Sequence, residues 1–341
     1  MSRRESEELD KLLLVFVHGF RGSSTSFKDF PNRLQAILTN TVKADVEVDV
    51  YPSYKTAGEL RIAVRDFSDW LCDKVKVIKD EIDRFESKAS IMIVLLGHSM
   101  GGIVSAETIL HFQDEHKDKL LGANIIGLLT YDTPFYSINR NFVAEKAWSG
   151  VDHMNRGIGN LWNAGAAIFT AVTATSTVQR MSHLGAEAGK KWGIVAGVVS
   201  VTALGAAAFA ARQKISSNIT NAYQELTFVS DLTDMHGLNE RVTKLLKIPD
   251  IFFRCYYVKL SHGSTSENAT QRTFINLPPP ETAEYFIPVP SPAIDEVRAH
   301  INMFNPNKTD YYYEMGTNSI FLISEMVAKY QREHSPLLLT F

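Results

Sequence analysis

Between residues 12 and 131 the chain alternates between two kinds of hydrophobic pattern. Residues 12–17 and 91–96 are unbroken apolar runs, 124–131 is mostly apolar, and 46–51 alternates apolar with acidic positions. Short apolar runs suit the strands of a parallel sheet, which are covered on both faces. The stretches between them have helical spacing. Phe27, Phe30, Leu34 and Ile37 share one face of a helix over 26–38. Leu60, Val64, Phe67, Leu71, Val75 and Ile78 share one face of a long helix over 58–85, and a third helix covers 100–113. This alternation predicts an α/β fold, a mostly parallel, doubly wound sheet with helices on both faces.

The pattern breaks after residue 137. No charged residue occurs in 158–178 or in 192–211, and alanine, glycine, valine and threonine dominate both stretches. Gly185, Gly189, Gly193 and Gly197 recur four apart, a stripe that lets helix backbones approach closely. Order of the earlier kind returns near residue 221. A short helix is predicted over 238–246 and an aromatic-rich strand over 251–260, with 273–277 as a candidate neighbour. Pro278-Pro279-Pro280 marks a loop; residues 295–300 then lead to Met303-Phe304-Asn305-Pro306, and a last helix runs over 317–330. Residues 1–137 and 221–341 are therefore read as two parts of one domain, interrupted by a helical insertion over 138–220. Each uncharged stretch is about as long as a bilayer span, near 20 residues, but only weakly hydrophobic. The insertion is read as a lid or monotopic anchor touching lipid, as a hairpin entering the bilayer, or as a soluble cap. Membrane or lipid-surface contact through 158–211 is the favoured reading.

Composition narrows the classes. The formal net charge of −3 leaves no electrostatic footprint for nucleic acid. Cys72 and Cys255 make neither a disulfide framework nor a metal cluster, which fits a reducing compartment. The charged N-terminus is followed by an apolar run too short for a signal peptide, so the expectation is an intracellular protein at the cytoplasmic face, not a secreted one.

The chemistry concentrates at Gly97-His98-Ser99-Met100-Gly101. An apolar strand precedes it and a small-residue helix follows, so the serine stands at a strand-to-helix bend, the nucleophile elbow. A serine hydroxyl is a weak nucleophile and needs a base, an acid that orients the base, and donors for the oxyanion. The donors are assigned to the backbone N–H groups of Phe20, in the loop His18-Gly19-Phe20 after the first strand, and of Met100. Of the ten histidines, His300 fits the base best, expected on a loop after the late strands and anchored by Ile301, Met303 and Phe304; His262 is its rival. For the acid, Asp132 at the end of the strand after the elbow stands first, with Asp231 and Glu284 as alternatives. His18 and His98 are read as structural. No metal and no organic cofactor is implied.

With these motifs the chain resembles the α/β-hydrolase superfamily, and within it the fungal serine-esterase branch related to lipases and to the inositol deacylases of lipid-anchor remodelling. The likeness rests on Val17-His18-Gly19-Phe20, Gly97-His98-Ser99-Met100-Gly101-Gly102, residues 129–135 and residues 299–304. The resemblance implies an ester-cleaving serine enzyme, with Ser99 as nucleophile and His300 as base. The chain departs from a full hydrolase sheet in lacking the two outermost N-terminal strands, so a reduced sheet of about six strands is expected. It also departs from the family in having no clear aspartate after the penultimate strand. The expected substrate is a small-molecule or lipid ester, with lipid-like acyl esters favoured by the apolar insertion. The alternatives are a catalytically silent membrane scaffold and an acyltransferase using the same acyl-serine.

Overall fold

A computed structural model describes residues 9–20, 22–52, 59–114, 120–139, 235–261 and 272–334. The strands are β1 (Asp10–Val17), β2 (Ala44–Val50), β3 (Ile91–His98), β4 (Asn124–Tyr131), β5 (Phe252–Leu260) and β6 (Phe286–Ser291). The helices are α1 (Phe30–Thr41), α2 (Leu60–Arg84), α3 (Met100–Asp114), α4 (Met235–Leu246), α5 (Glu296–Asn302) and α6 (Tyr312–His334), with a 3-10 turn over Pro280–Tyr285. The strands form one six-stranded sheet in the order β2-β1-β3-β4-β5-β6, parallel at every pairing.

That order contains a switch point. From β1 the chain crosses to β2 on one side; from β3 it crosses to β4 on the other. Right-handed crossovers in opposite directions put their helices on opposite faces. Accordingly α1 packs with α6, while α3 packs with α2 and α4. The carboxyl ends of β1 and β3 meet where the direction reverses, the crevice in which open α/β sheets hold ligands. The register pairs Val17 with Gly97 and His98 with Tyr131, so the chain segments that follow leave the sheet side by side.

The core explains the apolar runs. Every residue of 12–17 and 91–96 is buried, as are Val64, Phe67, Leu71, Val75 and Ile78 of α2. A cluster of rings sits beneath the carboxyl end of the sheet. Phe304 packs edge-on against Phe27, Phe30 and Tyr131 with centroids 4.9, 5.1 and 5.1 Å away. Phe30 also meets Phe16 and Tyr312. Phe304 thereby ties the exit of α5 to β4, to α1 and to the segment before α1.

Some expectations needed correction. Residues 273–277 are not a strand; Thr273 and Ile275 form only isolated antiparallel bridges, to Lys259 and Ile138. The sixth strand is Phe286–Ser291, whose Pro288 and Pro290 disguise it. Such prolines are tolerated because β6 is an edge strand with one side free of ladder bonds. The first helix starts at Phe30, with Pro31 in its first turn where the missing N–H costs nothing. The last helix begins five residues earlier than the sequence suggested, at Tyr312. Residues 140–234, with nearly all of the insertion and its glycine stripe, lie outside the described residues. Among the described residues no helix is long and apolar enough to cross a membrane.

Candidate active site

The bend at residue 99 is built by close backbone approach. A Cβ on Gly97 would stand 2.4 Å from the Gly102 Cα, and one on Gly101 would stand 2.0 Å from the Val17 carbonyl oxygen. Only glycine fits where β3 turns into α3 against β1. Ser99 itself has φ 55°, left-handed backbone that a side-chain-bearing residue adopts at a cost of roughly 1–3 kcal/mol. The cost is offset by fixed bonds on both sides: the Ser99 N–H donates to the Tyr131 carbonyl at 2.9 Å, and the Gly102 N–H donates to the Ser99 carbonyl at 3.1 Å. Ser99 is half-buried, at the carboxyl end of the sheet.

The loop after β1 lies directly on the serine. A Cβ on Gly19 would be 2.7 Å from Ser99 Cβ and 3.2 Å from its Oγ. This brings the backbone at Phe20 next to the bend. Met100 opens α3, so its N–H belongs to the first-turn donors that have no acceptor within the helix. His18 is buried, its Nδ1–H donating to the Gly19 carbonyl at 3.0 Å, and burial pushes its imidazole below the usual histidine range.

Asp132 follows β4 with φ 50° and is fully buried. Because β5 runs on beyond the end of β4, its backbone meets this residue twice. The Asp132 N–H donates to the Tyr256 carbonyl, and Asp132 Oδ1 accepts from the Val258 N–H at 3.1 Å. The other carboxylate oxygen, Oδ2, accepts from His300 Nδ1 at 2.7 Å. A carboxylate only accepts, so Nδ1 carries the proton and Nε2 is left as the basic nitrogen. The acid and the base expected from the sequence, 168 positions apart, are thus hydrogen-bonded in a buried pair.

His300 lies on the short helix α5 rather than on a loop. Asp295 caps that helix by accepting from the Arg298 N–H at 2.9 Å. Buried Glu296, at its first residue, is gripped by Arg272 through Nε–Oε1 at 2.9 Å and Nη2–Oε2 at 3.2 Å. Met303 and Phe304 are buried and anchor the exit as expected, whereas Ile301 is 44% exposed and anchors nothing. His98 joins α5 to the bend. Its Nε2–H donates to the His300 carbonyl at 3.2 Å, and its ring stacks on the His300 ring at 4.6 Å. Ser99 is therefore the immediate neighbour of a residue bonded to His300.

The alternatives fare differently. Glu284 is exposed in the turn that precedes β6, hence at the amino edge of the sheet, away from His300. Asp231 and His262 lie outside the described residues. Burial pushes the Cys255 thiol up to about 12, so it is no competing nucleophile.

A strand, a strained serine bend and a helix, at the switch point of a parallel six-stranded sheet, define the α/β-hydrolase fold. The chain belongs to the alpha/beta hydrolase family, whose model matches residues 14–225. No curated protein matches it. Among solved structures it is similar to the peroxisomal α/β-hydrolase Lpx1 of Saccharomyces cerevisiae at 14% identity, covering 99% of this chain and 82% of that one with a TM-score of 0.41. It is also similar to phospholipase PlaB of Legionella pneumophila (11% identity; 97% and 66% covered; TM-score 0.38). A third is the lipase BlEst2 of Bacillus licheniformis (18% identity; 46% and 51% covered; TM-score 0.26).

Proposed function

We propose that the protein is a serine hydrolase that cleaves carboxylic esters, with Ser99 as nucleophile, His300 as general base and Asp132 as the orienting acid. The observation that carries this reading is the 2.7 Å bond from His300 Nδ1 to Asp132 Oδ2, which leaves Nε2 as the free base. The positive φ of Ser99 at the switch point supports it. Ser99 Oγ attacks the ester carbonyl while its proton passes to His300 Nε2. The tetrahedral oxyanion is held by the N–H groups of Phe20 and Met100. It collapses by breaking the ester C–O bond, and the departing alkoxide takes the proton from Nε2. Water then gives its proton to Nε2, attacks the acyl-serine carbonyl, and releases the carboxylic acid as Ser99 Oγ recovers the proton.

The motifs shared with the serine-esterase branch support the ester class. The two uncharged stretches within 158–211 support lipid-like acyl esters and contact with a lipid surface. The bond from His300 to Asp132 favours this reading over a silent scaffold.

Hydrolysis of p-nitrophenyl esters of increasing acyl length tests the reading. Turnover by the wild-type chain, lost in Ser99→Ala of unchanged thermal midpoint, is the expected result. No turnover of any ester by folded protein overturns it. Accumulation of a transesterified product with added alcohol, in place of free acid, would make the acyl-serine that of a transferase. Co-flotation with liposomes, with and without residues 158–211, tests the lipid contact.

A further inference from the structure

The bond to Asp132 fixes one atom of the His300 ring and leaves its tilt open, since torsion about the bond to an sp2 ring is broad. Two other rings close on it. Phe274 stacks at 3.9 Å with planes 23° apart, and His98 stacks at 4.6 Å with planes 29° apart. Two near-parallel rings this close to one centroid would overlap if they shared a face, so they occupy its opposite faces. Each jaw is anchored separately. The Phe274 carbonyl accepts from the Asn139 N–H at 2.9 Å, and the neighbouring Arg272 grips Glu296 of α5. His98 ends β3 and is wedged edge-on by Phe304 at 5.4 Å and by Phe27 at 6.4 Å.

We propose that His98 and Phe274 are positioning residues for His300, holding its imidazole in the one orientation that keeps Nδ1–H on Asp132 and presents Nε2 to the serine proton. The proposal rests on the reading of Ser99, His300 and Asp132 as a triad. It gives His98 a part in the site that the sequence assigned only to structure. His98 suits one jaw because it can bind backbone and ring at once, through Nε2–H to the His300 carbonyl and through its face to the imidazole. It also has to be uncharged, since a cation there would oppose the imidazolium formed on His300 in each cycle. Burial, then the proximity of His300, holds His98 well below the usual histidine range and so neutral. Phe274 suits the other jaw for a complementary reason: its side chain packs on the ring face and offers no hydrogen-bonding group to compete with Asp132 for Nδ1–H.

Phe274→Leu, Phe274→Tyr and His98→Asn test the clamp, with two readouts. The first is steady-state kinetics on the ester that the wild type cleaves best. A loosened base lowers kcat by about 10- to 100-fold and leaves KM within about twofold, because misplacement by about an ångström acts on the transition state. Tyrosine at 274 keeps the ring and restores the rate. The second is the far-downfield proton resonance of His300 Nδ1–H on Asp132, assigned by its loss in Asp132→Asn. It is sharp in the wild type and in Phe274→Tyr, and broadened or lost in Phe274→Leu and His98→Asn. Phe274→Leu exchanges one apolar side chain for another, so it decides the matter if His98→Asn, which removes a ring bonded to the His300 carbonyl, fails to fold. Wild-type kcat and an unchanged resonance in Phe274→Leu overturn the clamp and leave the triad standing. A wild type with no turnover removes the triad reading, while the resonance still judges the clamp in the same variants.

Discussion

The two halves of the site are built on different scales. The serine bend is compact: it spans residues 97–102 against the end of β1, and a Cβ on Gly97 or Gly101 would stand only 2.4 or 2.0 Å from a backbone atom. The half proposed for acid–base work is assembled from afar. Asp132 comes from the end of β4, His300 from α5 and Phe274 from the bridge segment beside β5, and hydrogen bonds and ring faces join them. A half made of backbone contacts has no slack, and damage to it breaks the fold. A half made of polar bonds on a finished scaffold can lose its chemistry while the fold stands.

Asp132→Asn gives the sharpest contrast. The amide keeps an acceptor for the Val258 N–H but no longer selects the His300 tautomer with a free Nε2. Ester turnover is expected to fall about 10³- to 10⁴-fold, with a thermal midpoint near wild type. Kinetics and a melting curve on the same preparation check both parts. Gly101→Ala has the opposite signature. Its methyl would lie 2.0 Å from the Val17 carbonyl oxygen, so β1 or α3 has to move, and a loss of about 4 kcal/mol or more is expected. A variant whose urea midpoint stays within experimental error of wild type would contradict the close-packed account of the bend.

The smallest effect is that of pH. Burial lowers both His18 and His98 from the ordinary 6.5, so the folded chain binds fewer protons than the unfolded chain below that pH. Their contribution to stability is complete above pH 6.5 and is lost as pH falls below it, by at most about 1.4 kcal/mol per pH unit for each histidine. Urea midpoints measured at about pH 7.5 and about pH 5.5 should fall with acid, and His98→Asn should reduce that fall. An acid slope unaltered by His98→Asn would mean that His98 is charged or exposed.

The same division explains what the sequence reveals. Strands β1 to β5 and helices α1 to α3 show in the chain because each buries a continuous run or one regular face. Strand β6 does not, because Pro288 and Pro290 imitate a loop and only its place at the sheet edge makes them harmless. Residues 273–277, a candidate strand in the sequence, find only single-residue partners. Ser99 is legible because the glycines that permit its bend, at 97, 101 and 102, lie within three residues of it. Asp132 and His300 emerge as candidates from their order along the chain. Their pairing depends on β5 running past β4, which no local pattern records. The stack on His300 has no signal in the sequence, since Phe274 follows a stretch without periodicity and His98 has the look of motif filler.

Reaction with a fluorophosphonate, read by intact mass and peptide mapping, tests the central claim most directly, because it needs a nucleophilic serine but no knowledge of the substrate. The account predicts one phosphonyl adduct per chain, on Ser99, formed far more slowly in His300→Ala and in Asp132→Asn and absent in Ser99→Ala. Folded wild-type protein that takes up no adduct, or takes it up at another residue, would contradict it.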